Sequence, residues 1–305
     1  MTHLLDIDDL TKTDIDSILK LSKELKQSHT DGNVPPLLYG KTLSMLFQKP
    51  STRTRVSFEV GMNMLGGNAI TFDLSQLQLS RGETLSDTTK SLSLYVDAIL
   101  ARVTDHSLLE QLSSTSKIPI INGLSDKSHP CQALADLLTI HENFGTFDIQ
   151  ATWVGDGNNV ANSFARACSI MGIDLVIATP KGYELSSETL SKIESSDISF
   201  STTNDPKEAV TEADVVYTDT WVSMGDESTR KKRLSDFNGF QINSTLLSKT
   251  EALVMHCLPA HRNEEISTDI LDGDRSLVWT QAENRLHAQN GLLVHLLNPI
   301  QDLLK

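Results

Sequence analysis

"FQKPSTRTRVSFEVG", residues 47–61, joins an apolar run to the start of a helix, and its reading decides the fold. Pro50 follows the apolar stretch "KTLSMLF" at 41–47. Ser51 is a residue type that caps helices, and Val56, Val60 and Met64 recur at a four-residue spacing. Ser51 to Arg55 are therefore expected to form the first turn of a helix leaving a strand. Free N–H groups and the positive end of the helix dipole favour an anion there. The hydroxyls of Ser51, Thr52 and Thr54 and the guanidinium groups of Arg53 and Arg55 add donors suited to a tetrahedral oxyanion. A phosphate fits that set; the window by itself equally fits a capped helix with two surface arginines paired to nearby acids.

Working outward, the strand-then-helix pattern repeats. "NAITFD" near 68, "DAILARV" near 97 and "IPIIN" near 118 are short apolar runs separated by longer amphipathic stretches. After about 145 the pattern begins again with "ATWVGDG", "DLVIATP", "DISFSTT", "DVVYTDT" and "ALVMHCLP". Alternation of this kind predicts an α/β protein of two domains, each a parallel sheet flanked by helices. "HPCQALADLLTIHENFG" at 129–145, with Pro130 at the first helical position and Gly145 as a stop, is the expected bridge between them. The polar stretch "GDESTRKKRLSDF" at 225–237 is expected to be a mobile surface loop.

The 305 residues leave room for two domains of ordinary size, and a site can lie between them. Lys and Arg number 26 against 40 Asp and Glu, and the net charge of −14 disfavours nucleic acid or an anionic membrane as partner. A local basic cluster in such a chain is informative. Three scattered cysteines, Cys131, Cys168 and Cys257, form neither a disulfide framework nor a Cys-x-x-Cys metal site. The N-terminus lacks the basic and apolar regions of a signal peptide, and no apolar run approaches the ~18 residues of a membrane span. The expectation is a soluble cytoplasmic protein.

Arg102 ends the strand "AILAR", where parallel strands present side chains to a crevice, and His129 and Gln132 open the bridging helix. Singly, each has an ordinary structural reading; together with the 51–55 turn they suggest one anionic ligand. In the second half, "GDGNN" follows a strand like a dinucleotide fingerprint, but Val160 stands where the third glycine belongs. The next strand ends at Thr179 and Pro180 without a ribose-binding acid, so a nicotinamide dehydrogenase is disfavoured.

Four motifs, "STRTR" at 51, "HPCQALAD" at 129, "DTWVSMG" at 219 and "HCLPAHR" at 256, occur in an order that resembles the aspartate/ornithine carbamoyltransferase family, and within it the ornithine-using enzymes. The resemblance spans nearly the whole chain. It implies a carbamoyl phosphate-binding domain over 1–144, an ornithine-binding domain over 145–286, a C-terminal helix near 287–305 packing back on the first, and an active site in the cleft between the two. Carbamoyl phosphate would meet Ser51, Thr52, Arg53, Thr54, Arg102, His129, Gln132, Cys257, Leu258 and Arg285, with Gln78 supplied by a neighbouring subunit of a homotrimer or a multiple of trimers. Ornithine would meet Asn159, Asp219, Ser223, Met224, Cys257 and Leu258. Thr220 departs from the valine common at that place in the family.

The chemistry so implied is attack of the neutral δ-amine of L-ornithine on carbamoyl phosphate, giving L-citrulline and phosphate through a tetrahedral intermediate, with carbamoyl phosphate bound first. Arg102, His129, Asp219 and Cys257 are the implied catalytic residues: Thr54, Arg102 and His129 stabilise the oxyanion, and Cys257 with Asp219 assists amine deprotonation without forming a covalent bond. The mixed anhydride is already activated, so no cofactor is required. His256 and His261 stand five apart across a proline, a poor spacing for metal ligands, and no catalytic metal is expected. Relatives acting on aspartate, putrescine or an acylated ornithine differ at "SMG" or at Cys257 and remain the alternative acceptors.

Overall fold

Nine strands, all paired in parallel, alternate with helices along the chain of a computed structural model that describes residues 3–78, 82–222 and 227–298. The chain divides into two units, Met1–Leu138 with Asn284–Lys305, and Thr139–Glu283.

In the first unit, β1 (Thr42–Phe47), β2 (Asn68–Asp73), β3 (Ala98–Arg102) and β4 (Ile120–Leu124) form a sheet in the order β2-β1-β3-β4. Its helices are α1 (Lys12–Thr30), α2 (Thr52–Met64), α3 (Leu85–Leu92) and α4 (Ser107–Thr115), with α5 (Pro130–Phe144) leaving the unit. β1 and β3 are almost wholly buried, as continuous apolar strands covered on both faces must be. Between them the strand order reverses direction, and Phe47 pairs with Arg102, which in turn pairs with Leu124. That register brings the segments after β1, at the end of β3 and after β4 to one carboxyl edge, where ligands of open α/β sheets bind.

The second unit contains β5 (Gln150–Val154), β6 (Asp174–Ala178), β7 (Phe200–Thr203), β8 (Val215–Thr218) and β9 (Leu253–His256) in the order β7-β6-β5-β8-β9. Around it lie α6 (Asn159–Met171), α7 (Ser187–Glu194), α8 (Pro206–Ala209), α9 (Arg230–Asp236) and α10 (Thr268–Leu271). Helix α11 (Val278–Leu297) begins in this unit and ends in the first. Here the order reverses between β5 and β8, and Thr218 pairs with His256, so Asp219 and Cys257 each follow directly on neighbouring strand ends. Tyr217 meets Trp153 and Phe164 edge to face at 4.8 and 5.0 Å between ring centroids, and Trp153 and Phe164 are tilted at 6.3 Å, which locks β5, α6 and β8 together.

The α/β reading holds, and Gly145 closes α5 in the left-handed conformation at φ +72°. Two local expectations need correction. Ser51 occupies the cap position of α2 but its side chain makes no capping bond. The buried face of α2 is Thr54, Phe58, Gly61 and Met62, whereas Val56 and Val60 are 51% and 42% exposed. The Val56–Val60 spacing marks the helix as expected, along its outer side. Finally, the "GDESTRKKRLSDF" stretch is not a loop over its described part: it folds as a 3-10 turn at Glu227–Thr229 and then α9.

Candidate active site

In the first unit, two guanidinium groups converge on one hydroxyl. Arg102 Nη1 and Arg285 Nη2 each donate to Thr54 Oγ1 at 3.3 Å. Arg285 Nη1 donates to Gln132 Oε1 at 2.7 Å and lies 3.5 Å from His129 Nε2, while Gln132 Nε2 donates to Asp136 Oδ1 at 2.8 Å. Thr54, His129, Gln132 and Arg285 are buried. Burial, then the neighbouring charges of Arg285 and Arg102, hold the His129 pKa well below the usual 6.5. The ring is therefore neutral near pH 7, and since arginine only donates, Nε2 faces Arg285 as acceptor and the proton sits on Nδ1. The cluster offers two fixed positive charges and neutral donors, a set built for a doubly charged oxyanion.

Around this cluster the other expected residues are less closely engaged. Ser51, Thr52 and Arg53 stand at the first turn of α2, with Thr52 and Arg53 exposed; Arg55 instead pairs with Glu59 at 3.0 Å on the same helix. Gln78 is exposed, and its carbonyl accepts from Glu83 N. Cys131, beside the cluster, is a fully buried thiol pushed up to about 12 by burial, with Sγ donating to Asn122 O.

In the second unit the centre is the Asp219 carboxylate, 6% exposed. Its Oδ1 accepts from Cys257 Sγ at 3.0 Å and its Oδ2 from Asn158 Nδ2 at 2.8 Å. Cys257 is thus a thiol donating its proton, half-exposed, while Cys168 is buried. Asn158 also caps α6, its Oδ1 accepting from Val160 N and Ala161 N, which fixes the amide so that its NH₂ points at Asp219. Asn159, the residue expected from the motif, uses Oδ1 locally to accept from Val160 N. Ser223 and Met224 lie outside the described residues.

Behind Cys257 the "HCLPAHR" segment is held by a buried network. His256 Nδ1 accepts from Leu258 N at 2.9 Å, so the ring proton is on Nε2, which faces Glu265 Oε1 at 3.1 Å. His256 N donates to Gln281 Oε1 at 2.9 Å. These bonds hold Leu258 at φ +59°, a conformation that a branched side chain adopts only when its surroundings fix it, and the side chain packs on the unit's core. Asp219, His256 and Cys257 each place one donor atom within 4.8 Å of the others, as do His261, Glu264 and Glu265. Both His256 ring nitrogens are engaged by protein groups and Glu264 is paired with Arg230, so both sets serve as hydrogen-bonding networks.

Sequence reasoning missed three residues. Asn158 was legible as a cap residue following a strand, one place before the asparagine singled out. Asp156 and Arg233 were not: their ion pair at 2.8 Å joins positions 77 apart, and nothing local marks either. Thr220 Oγ1 donates to Val222 O at 3.2 Å and lies 2.9 Å from His261 Nδ1, a bond that valine would not make.

Comparison with known proteins agrees with this geometry. Residues 2–142 match the family described as "Aspartate/ornithine carbamoyltransferase, carbamoyl-P binding domain", and residues 148–296 its "Asp/Orn binding domain". The chain belongs to the aspartate/ornithine carbamoyltransferase family. It is 50% identical over 298 residues to the ornithine carbamoyltransferase of Haloquadratum walsbyi, covering 97% of this chain and 98% of that one. With the Bacillus subtilis enzyme of the same name it shares 49% over 301 residues, 96% of this chain and 93% of that one. Among solved structures it resembles ornithine carbamoyltransferase from Pyrococcus furiosus, with a TM-score of 0.94 at 49% identity over 98% and 97% of the two chains. For the Thermus thermophilus enzyme the TM-score is 0.88 at 41% identity, over 98% and 99%.

Proposed function

We propose that the protein transfers the carbamoyl group of carbamoyl phosphate to the δ-amine of L-ornithine, yielding L-citrulline and phosphate. The observation that carries the acceptor assignment is Asp219: a buried carboxylate whose two oxygens already face donors suits a bound ammonium group, and it adjoins a half-exposed thiol. Arg102, Arg285, Thr54, His129 and Gln132 hold the phosphate and carbamoyl oxygens, with Ser51, Thr52 and Arg53 presenting the helix N-terminus to the phosphate. Asn159, Ser223 and Met224 meet the amino-acid end of ornithine, and Leu258 and Cys257 line the reacting centre.

The reaction needs a neutral amine. Ornithine loses its δ-proton, the nitrogen pair attacks the carbonyl carbon, and charge moves to the oxygen, where Arg102 and the neutral His129 stabilise it. Because His129 is uncharged, it donates a hydrogen bond without adding a third positive charge to the guanidinium pair. Collapse breaks the C–O bond to phosphate, and the leaving phosphate takes the second proton, which the attacking nitrogen still carries, the first having gone to solvent. The active form is a homotrimer in which Gln78 completes a neighbouring copy's site. Exposed Val56, Val60, Ile70, Leu94 and Tyr95 on the first unit support an assembly that covers them. We place the protein in the cytoplasm; among the described residues no helix is long and apolar enough to cross a membrane.

A citrulline assay with ornithine, putrescine, N-acetylornithine and aspartate as acceptors tests the reading. Ornithine is expected to exceed the others in kcat/KM by orders of magnitude. Comparable rates with putrescine or N-acetylornithine would overturn the role given to Asp219 and its neighbours.

A further inference from the structure

We propose that Arg233 is a positioning residue for the acceptor half of the site, acting through Asp156 and Trp221; the proposal rests on the ornithine reading above. Arg233 belongs to α9, outside the four motifs. Its Nη1 donates to Asp156 Oδ2 at 2.8 Å and to the Trp221 carbonyl at 3.0 Å, and both side chains of the ion pair are mostly buried, at 15% and 10% exposed. One guanidinium thus ties together the two loops that carry the site. Asp156 stands two places before Asn158, and Trp221 two places after Asp219 and two before Ser223.

The surroundings leave those loops little freedom apart from this tie. Asp156 O accepts from Trp153 Nε1 at 3.0 Å, which anchors the loop's start to β5. Next to it, Gly157 runs so close to the Glu184 backbone that a Cβ would lie 2.4 Å from its carbonyl carbon and oxygen. Asn158 then crosses to Asp219, and Asp219 to Cys257. A chain of contacts therefore leads from Arg233 to the thiol. Arg233 is itself held: its guanidinium carbon lies 5.1 Å from the centre of the Tyr183 ring, and Tyr183 Oη donates to Asp236 Oδ2 at 2.7 Å on the same helix. Removing the guanidinium takes a buried ion-pair partner from Asp156 and a donor from the Trp221 carbonyl, and movement of either loop shifts the Asn158–Asp219 bond.

This role differs from simple stabilisation in which substrate it affects. The full-length enzyme and its variants Arg233→Met, Arg233→Lys and Asp156→Asn are assayed for citrulline with each substrate varied, and carbamoyl phosphate binding is measured by calorimetric titration. Arg233→Met is expected to raise the ornithine KM roughly 10- to 100-fold, the scale of a misplacement of about 1 Å, while carbamoyl phosphate affinity stays within about twofold. Arg233→Lys, which keeps the charge and one bond, should recover part of the loss. Combining Arg233→Met with Asp156→Asn should cost little more than the first alone, because both remove the same contact. If Arg233→Met fails to fold, the Lys and Asn variants carry the same test. An unchanged ornithine KM in folded variants, or equal losses for both substrates, would overturn the proposal. A wild-type enzyme that makes no citrulline from ornithine would instead overturn the acceptor reading, and the proposal with it.

Discussion

Replacing Asp219 with Asn keeps the shape of the side chain and removes its charge, and the structure allows the cost to be worked out. In the wild type both oxygens accept, one from the Cys257 thiol and one from the Asn158 amide. An asparagine has one acceptor oxygen and one NH₂. Because Asn158 is fixed by its capping bonds and presents its own NH₂, the new oxygen must face it and the new NH₂ must face Cys257. The half-exposed thiol then loses this acceptor, a cost of about 1 kcal/mol or less because water can reach it. The ornithine ammonium loses a carboxylate partner in a desolvated place, which by itself costs about 3–5 kcal/mol. The terms overlap, so a total of about 3–5 kcal/mol is expected, or roughly a 100- to several-thousand-fold fall in kcat/KM for ornithine. Carbamoyl phosphate, whose phosphate the proposal gives to Arg102, Arg285, Thr54 and the first turn of α2, should bind nearly unchanged by calorimetric titration. The measurement is kcat/KM for ornithine from pH 6 to 10 in wild type and variant. A loss smaller than tenfold, or a parallel loss of carbamoyl phosphate affinity, would refute the reasoning.

Three further outcomes are expected. His129 binds its proton less readily when folded than when unfolded, so the unfolded chain holds more protons as pH falls below 6.5; stability is full above that value and is lost as pH drops through the window beneath it. Thermal melts of wild type and His129→Gln from pH 8 to 5 check this, and the variant should lose less stability toward acid. A thiol reagent near pH 8 should modify Cys257 alone of the three cysteines, since Cys131 is pushed up to about 12 and Cys168 is buried, and ornithine with carbamoyl phosphate should protect it; peptide mapping identifies the labelled thiol. Gly157→Ala should impair ornithine use with little change in carbamoyl phosphate binding, because its Cβ would meet the Glu184 backbone and displace the loop that holds Asn158; steady-state kinetics with each substrate varied measures it.

The strands were legible because parallel sheets buried on both faces need uninterrupted apolar runs, and "KTLSMLF", "DAILARV" and "ALVMHC" are such runs. Of the candidate site residues, Arg102 at the end of β3 and Thr54 in the turn that opens α2 were legible by position, whereas Asp219 and Cys257, directly after β8 and β9, were singled out through the resemblance of their motifs. Reading failed where the outcome depends on a distant partner. α9 looked like a loop because five of its seven residues are charged, yet Arg233 buries its head against Asp156 and Tyr183, and Leu234 packs on the core. The spacing of Val56 and Val60 marked the helix but not its inner face, which is decided by which side of α2 meets the sheet, a fact no local window contains.

The two units solve opposite charge problems inside one acidic chain. A net charge of −14 would repel an acyl phosphate if charge acted at a distance, but at physiological salt charges more than about 8 Å apart are largely screened. Local groups therefore decide. In the first unit the guanidinium groups of Arg102 and Arg285 meet at Thr54, Asp136 accepts from the Gln132 amide, and the imidazole is neutral, so two guanidinium charges are concentrated at one hydroxyl. In the second, a thiol and an amide, both neutral donors, occupy the Asp219 oxygens and bring no cation to the place where an ammonium would sit. Neutral donors orient each charged centre without cancelling it. On this reasoning Asn158→Asp would be worse than Asn158→Ala for ornithine use, because a second carboxylate beside Asp219 adds repulsion where alanine only loosens the geometry. Equal effects of the two substitutions on kcat/KM for ornithine would show that orientation, not charge, governs the acceptor end.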